Sequence, residues 1–292
     1  MAKYDASGDR IKSRFPVFST VVLILGIILL AAGIIYYKNS DISKYYKMKD
    51  ISESYDAGSI NNIEIDFGIG DILIDKSADE NIHVEGINIP EYVEVETSGD
   101  IFEIKRQKKN FNFWDFPLWN LGSGKNEISL KIYLPDKTYN NFKLDCGAGT
   151  VEVNNVICSY AEFDMGAGDC DINSFICDNA SIDTGAGDCD ISFITVNKTL
   201  EIDNGAGDMT IENGVLGGIE IDSGAGDVDF SGTINGDIEA DVGAGDCTFT
   251  LTNSESDYRF EGDGRKHYGS SGGKYTVDID SGAGDIDFIF GK

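Results

Sequence analysis

Acidic residues recur along the second half of this chain at fixed distances from a pair of glycines. Two before the first glycine stand Asp145, Asp164, Asp183, Asp203, Asp222, Asp241 and Asp280, and Glu261 stands directly before the glycine of a degenerate copy. Directly after the second stand Asp169, Asp188, Asp208, Asp227, Asp246 and Asp285, with Thr150 and Arg265 in the remaining two copies. If the copies stack, these carboxylates form columns with a spacing of about 4.8 Å. Neighbouring charges at that distance repel by roughly 1 kcal/mol in water, so something must offset a cost repeated along each column. One offset is local: each carboxylate accepts hydrogen bonds from backbone N–H groups of its own glycine corner. The other is a shared cation, with Ca²⁺ taking carboxylate and carbonyl oxygens. The nonapeptide Ca²⁺ repeat GGxGxDxUx has a different period and spacing. Both offsets stay open, and no resident cofactor other than Ca²⁺ suggests itself. Paired carboxylates also serve glycosidic-bond chemistry. Here they are repeated rather than unique, Lys198 is the one basic residue between 145 and 258, and His83 and His267 lie far apart. A carbohydrate-active β-helix enzyme is therefore a minor alternative, and no catalytic residue is assigned.

The glycines themselves belong to a repeat. Gly-Ala-Gly-Asp stands at 166–169, 185–188, 205–208, 224–227, 243–246 and 282–285, after a variant at 147–150. Successive starts are 19, 19, 20, 19, 19 and 39 residues apart, and a degenerate copy, Gly262-Asp263-Gly264-Arg265, splits the last gap. Around each corner apolar residues alternate with acidic ones: Ile182 and Asp183 before it, Asp188, Cys189, Asp190 and Ile191 after it. That period of two is a strand with one buried face. A unit of a few short strands cannot bury that face alone, but stacked units can. The expected fold is mainly β: a single-stranded, β-helix-like solenoid of about 19–20 residues per rung, regular over 145–292.

Net charge is −28. Residues 1–144 hold 17 basic and 21 acidic residues, whereas 145–292 hold 6 and 30, so the repeats are the acidic body. Phosphate binding needs Lys and Arg, which argues against nucleic acid as a partner. Cations, basic peptides and basic polymers suit this charge better. The six cysteines form no CxxC or Cys/His cluster, so a zinc site is not expected. They fall in columns otherwise filled by aliphatic residues and read as small buried apolar side chains.

Residues 15–37, FPVFSTVVLILGIILLAAGIIYY, carry no charge and are long enough to span a bilayer as one helix. Ile34, Ile35, Tyr36 and Tyr37 follow the small residues at 31–33, which favours an uncleaved anchor over a signal peptide. Lys3, Arg10, Lys12 and Arg14 form the denser basic cluster and place 1–14 in the cytoplasm. The expected protein is single-pass in the cell membrane, with its solenoid extracellular. Residues 38–59 read as a polar stalk and 60–144 as an irregular β segment or cap. Within the latter, 110–121 holds Phe111, Phe113, Trp114, Phe116 and Trp119, flanked by Lys and Arg. These aromatics fit either a cap over an open solenoid end or a contact with a partner or the membrane interface.

Four features together resemble a bacterial β-strand-repeat family labelled "putative adhesin", whose members resemble LiaG-type membrane proteins of Gram-positive bacteria. They are the N-terminal anchor, the motif Ile63-Glu-Ile-Asp-Phe-Gly-Ile-Gly-Asp-Ile-Leu-Ile74, the segment Ile128-Ser-Leu-Lys-Ile-Tyr-Leu-Pro135, and the repeated Gly-x-Gly-Asp. The resemblance covers about 60–292. It implies a β-solenoid ectodomain at the cell envelope and brings no catalytic residues to transfer. The expected function is non-enzymatic: an adhesin-like binding module or scaffold, with a role in envelope-stress response, whose partner is an envelope protein, peptide or polysaccharide. The alternative is a module that captures Ca²⁺ or a cationic peptide on its acidic columns.

Overall fold

The computed structural model describes residues 47–107, 128–261 and 272–291. In chain order its strands are β1 (Met48–Asp56), β2 (Asn62–Phe67), β3 (Asp71–Lys76), β4 (Asn81–Pro90), β5 (Val93–Ser98), β6 (Ile101–Arg106) and β7 (Ser129–Leu134). Then come β8 (Thr138–Ala148), β9 (Val151–Ala167), β10 (Cys170–Cys177), β11 (Asn179–Ala186), β12 (Cys189–Ala206) and β13 (Met209–Ala225). The last are β14 (Val228–Ile234), β15 (Ile238–Ala244), β16 (Cys247–Leu251), β17 (Tyr258–Phe260), β18 (Tyr275–Ser281) and β19 (Ile286–Phe290). They form a β-solenoid of about seven turns.

Each regular turn has three straight runs. In the turn that includes β11 and the start of β12, the runs bury Ala180 and Ile182, then Cys189 and Ile191, then Ile194 and Val196. The same positions pair with their equivalents one turn away: Ile182 with Phe163 and Ile202, Ile191 with Ile172 and Ile211. The core is therefore a set of apolar columns, with an aromatic cluster at Phe142, Phe163 and Phe175, where Phe163 meets Phe175 edge-on, and an aromatic file at Phe230, Phe249 and Phe288, the last two stacked. Burying each large aliphatic side chain contributes about 1.5–3 kcal/mol, a gain no single turn could realise alone.

Three expectations change. The stalk does not extend to residue 59: Met48–Asp56 is a strand, antiparallel to β4 from Met48↔Pro90 to Asp56↔Asn81. Only Ile51 is fully buried along it, so the sequence shows no period of two. Within 60–144, β2 and β3 form a regular rung rather than an irregular one. Asp66 pairs with Asp145, and Ile72 with Val151. The degenerate copy at 262–265 lies outside the described residues, and no rung intervenes where it was expected, because β15 and β16 pair directly with β18 and β19, as in Asp241↔Asp280 and Cys247↔Ile286.

Both ends share one device. The chain lays down β2 and β3, moves outward through β4 to β7, and returns at β8 on the inner side. β2 thus lies between β6 and β8, and β3 between β7 and β9. At the other end β18 lies between β15 and β17. The connection from β6 to β7, which carries 110–121, falls outside the described residues, as do 1–46. Among the described residues no helix is long and apolar enough to cross a membrane; the apolar run 15–37 is not among them.

Candidate functional site

The first corner of each turn is set by glycine on glycine. A Cβ on Gly166 would lie 2.6 Å from the carbonyl oxygen of Gly147, and one on Gly168 would overlap the carbonyl of Gly149. Gly168 also sits at φ +127°, where side chains are strained. Between the glycines the alanines stack in register, Ala148↔Ala167 and Ala186↔Ala206 among them. With no side chain larger than a methyl at the corner, the carboxylates on either side form its relief.

The column before the corner is continuous: Asp66, Asp145, Asp164, Asp183, Asp203, Asp222, Asp241 and Asp280 are successive paired neighbours. Glu261 is not in it; its carboxylate accepts from Arg259 Nε at 3.1 Å. The column after the corner holds Asp169, Asp188, Asp208, Asp227, Asp246 and Asp285, with Asp71 and Thr150 preceding. Its hydrogen bonding differs from expectation. Each aspartate before Asp285 is bonded not by its own corner but by the next turn. Asp188 N–H donates to Asp169 Oδ1 at 3.3 Å, Asp208 to Asp188 at 3.1 Å, Asp227 to Asp208 at 3.0 Å, Asp246 to Asp227 at 2.9 Å and Asp285 to Asp246 at 3.0 Å. Thr150 N–H donates to Asp71 in the same way at 3.1 Å. The aspartates therefore link turn to turn along the axis, and the amide bond to each anion is of the stronger, charge-assisted kind.

Burial, with repulsion from neighbouring acids, raises the proton affinity of three carboxylates beside the corner. Partial burial, then the Asp203 and Asp164 charges, raise the pKa of Asp183. Burial and the charges of Asp190, Glu152 and Asp169 raise that of Asp171. Asp145 is raised by burial and by Asp66, with Arg106 acting against them. Arg106 closes the start of the leading column: its guanidinium pairs with Asp66, lies 3.8 Å from Asp145 and covers Gly68. Among the described residues no group of three or more His, Cys, Asp and Glu side chains is arranged to hold a metal ion. All six cysteines are free and buried, and burial pushes the Cys146 thiol up to about 11 and those of Cys158 and Cys247 to about 12.

A model of the Toastrack DUF4097 family matches residues 60–288. The chain belongs to the Toastrack DUF4097 family. Among solved structures, a "putative adhesin" from Bacteroides fragilis NCTC 9343 shares the fold, with a TM-score of 0.50 and 17% identity over 82% of this chain and 97% of that one. A "putative adhesin" from Parabacteroides distasonis ATCC 8503 gives 0.42 and 14% over 83% and 98%. No functionally curated protein matches.

In this Toastrack solenoid the thirteen aspartates singled out by spacing fall into two columns flanking one corner. Phe111, Phe113, Trp114, Phe116 and Trp119 lie outside the described residues. Sequence reasoning left out Asp66 and Asp71, although the motif at 63–74 carries them. It also left out two outer columns, one with Glu162, Glu201, Glu220 and Glu239, the other with Glu152, Asp171, Asp190 and Asp229; their spacing of two from the named aspartates was the available signal. Nor did it find the second corner. There the backbone is left-handed at Asn155, Ser174, Phe193 and Asn213, with φ from 55° to 62°. Past it an outward column runs Thr138, Ile157, Ile176, Thr195 and Val215, with no charge.

Proposed function

We propose that this protein is anchored by 15–37 in the cell membrane and displays its solenoid outside the cell as a non-enzymatic binding module or scaffold. One observation carries the reading: the same carboxylates recur on successive turns, so among the described residues the acidic chemistry is spread over a surface rather than gathered in one place. Enzymes need converging, unlike groups; adhesive surfaces gain from repetition of like ones. The adhesin description of the Bacteroides fragilis relative accords with it, as does the anchor-length apolar run. The test uses the native thiols' burial. Full-length protein carrying Ser281→Cys, at an exposed position, is treated on intact cells with a membrane-impermeant maleimide. Labelling of the variant, absent from the parent, is expected. Labelling only after lysis would overturn the display outside the cell, and recovery in the soluble fraction would overturn the anchor.

A second reading, capture of a cationic peptide on the acidic columns, is favoured by Arg106, whose guanidinium straddles two of their carboxylates. Ca²⁺ and an arginine-rich peptide are compared by thermal unfolding at matched ionic strength, since a ligand of the folded state raises Tm. A rise with the peptide alone supports this reading. A Ca²⁺-specific rise would make the columns metal sites instead, and no rise with either would remove both.

A further inference from the structure

We propose that the second corner and the run beyond it form a binding surface for an uncharged polysaccharide, with Phe193 as its aromatic platform. The proposal names a partner for the binding-module reading and rests on it only in taking the solenoid to be displayed.

Charge is the first argument. On a chain of net charge −28, both faces beside the glycine corner carry acidic columns, while this side carries amides, hydroxyls and β-branched carbons. Asn154, Asn173, Ser192 and Glu212 pair in register along its near margin, and Glu212 is the one charge among them. A polyanion would be repelled by the acidic side, and a polycation would be drawn to it. This side, charged only at its margins by Glu212 and by Asp178 and Lys198, is left for a neutral partner.

Functional groups are the second. A sugar hydroxyl both donates and accepts. Asn amides and Ser or Thr hydroxyls also do both, whereas an ionised carboxylate only accepts. An aromatic ring supplies the flat apolar plate that the C–H face of a pyranose needs, with a quadrupole that favours positive edges. Repetition at the strand spacing of about 4.8 Å lets an extended polymer make many weak contacts at once.

Phe193 is the third. It is 63% exposed, the highest among the large apolar residues described, and stands at φ +57°. Asn tolerates that conformation and fills it at 155 and 213; a bulky ring does not. A strained backbone that holds a ring in water, where a better-fitting residue is used on other turns, marks the position as functional. Tyr160, 40% exposed, stands one corner further round. Ile176 and Val215, at 42% and 45%, extend the apolar relief on the turns before and after Phe193.

The test is co-sedimentation of the full chain, in detergent micelles, with insoluble chitin and cellulose, and with chitosan as a cationic comparator. Retention on at least one neutral polymer, insensitive to salt, is expected. Phe193→Asn should weaken it about tenfold, the scale of one lost aromatic contact, while the melting temperature holds or rises. Thr195→Asp, which places a charge in the neutral column, should weaken it further. Absence of retention on both neutral polymers overturns the proposal, as does retention unchanged in both variants. Binding to chitosan alone, released by salt, would assign the interaction to the acidic columns. Surface labelling of Ser281→Cys is independent of all these outcomes, so loss of polysaccharide binding with labelling intact would sink this inference and leave the display reading standing.

Discussion

The two corners of each turn do the same mechanical work by opposite means. The first bends glycine over glycine with the carbonyl of the turn before filling the space of any side chain. The second bends through a left-handed residue that is Asn, Ser, Phe or Asn on successive turns. A corner with no room is locked to one residue type and becomes a uniform edge, fit to carry identical charges in file. A corner with room can vary from turn to turn and place an individual side chain where chemistry calls for it.

The sharpest way to break that contrast is to give the first corner a side chain. Gly168→Ala puts a Cβ into the carbonyl of Gly149 at φ +127°. It should cost about 3 kcal/mol or more in urea unfolding; a loss under about 1 kcal/mol would mean that the corner has slack. Asn204 comes next. It is 1% exposed, and its amide accepts from Thr184 Oγ1 at 2.7 Å and donates to the Gly207 carbonyl at 2.9 Å. Asn204→Ala should cost about 1–3 kcal/mol by stranding those partners. At the second corner the sign reverses. Ser174→Gly relieves a left-handed residue, φ +62°, and should raise stability by about 0.5–1 kcal/mol. Opposite responses to adding a side chain at one corner and removing one at the other would confirm that the corners differ in kind.

The smallest effect is in pH. Asp145, Asp171 and Asp183 have pKa values raised above 3.8 by burial and neighbouring acids. They bind protons more tightly folded than unfolded, so stability falls as pH rises through the window above 3.8. Acidification into that window, towards about pH 4, should raise Tm by about 2 °C, less in high salt. Asp79, bonded by the Asn81 backbone and His83, and Glu96, bonded by Lys105, are lowered from 3.8 and 4.5. They lose their contribution as pH falls through those lower values, which limits the gain. A Tm that falls steadily from pH 7 would contradict the columns as sites of repulsion.

The repeat was legible because the glycine corner permits no substitution, and a feature that admits one residue leaves a period behind it. The carboxylate columns were legible for the same reason, since they keep fixed offsets from those glycines. What the aspartates bond to was not, because a hydrogen bond to the next turn and one to the home corner need the same residue at the same spacing. The gap of 39 was misread for a related reason: local sequence records how each rung is built and not the order in which rungs are laid together. Met48–Asp56 went unseen because one buried Ile51 makes no pattern. Phe193 went unseen because a tolerant corner has no consensus to depart from.

The out-of-order rungs have a consequence for how the chain comes to its fold. A chain emerging amino-terminus first produces β2 and β3 long before their inner neighbours, since Asp66 meets Asp145 and Ile72 meets Val151. That closure carries a chain-entropy cost which grows with the length enclosed and delays pairing. Turns from β9 to β16 follow one another and can zip as they appear. Assembly therefore begins in the middle of the molecule, and the first rung synthesised waits for a surface made later.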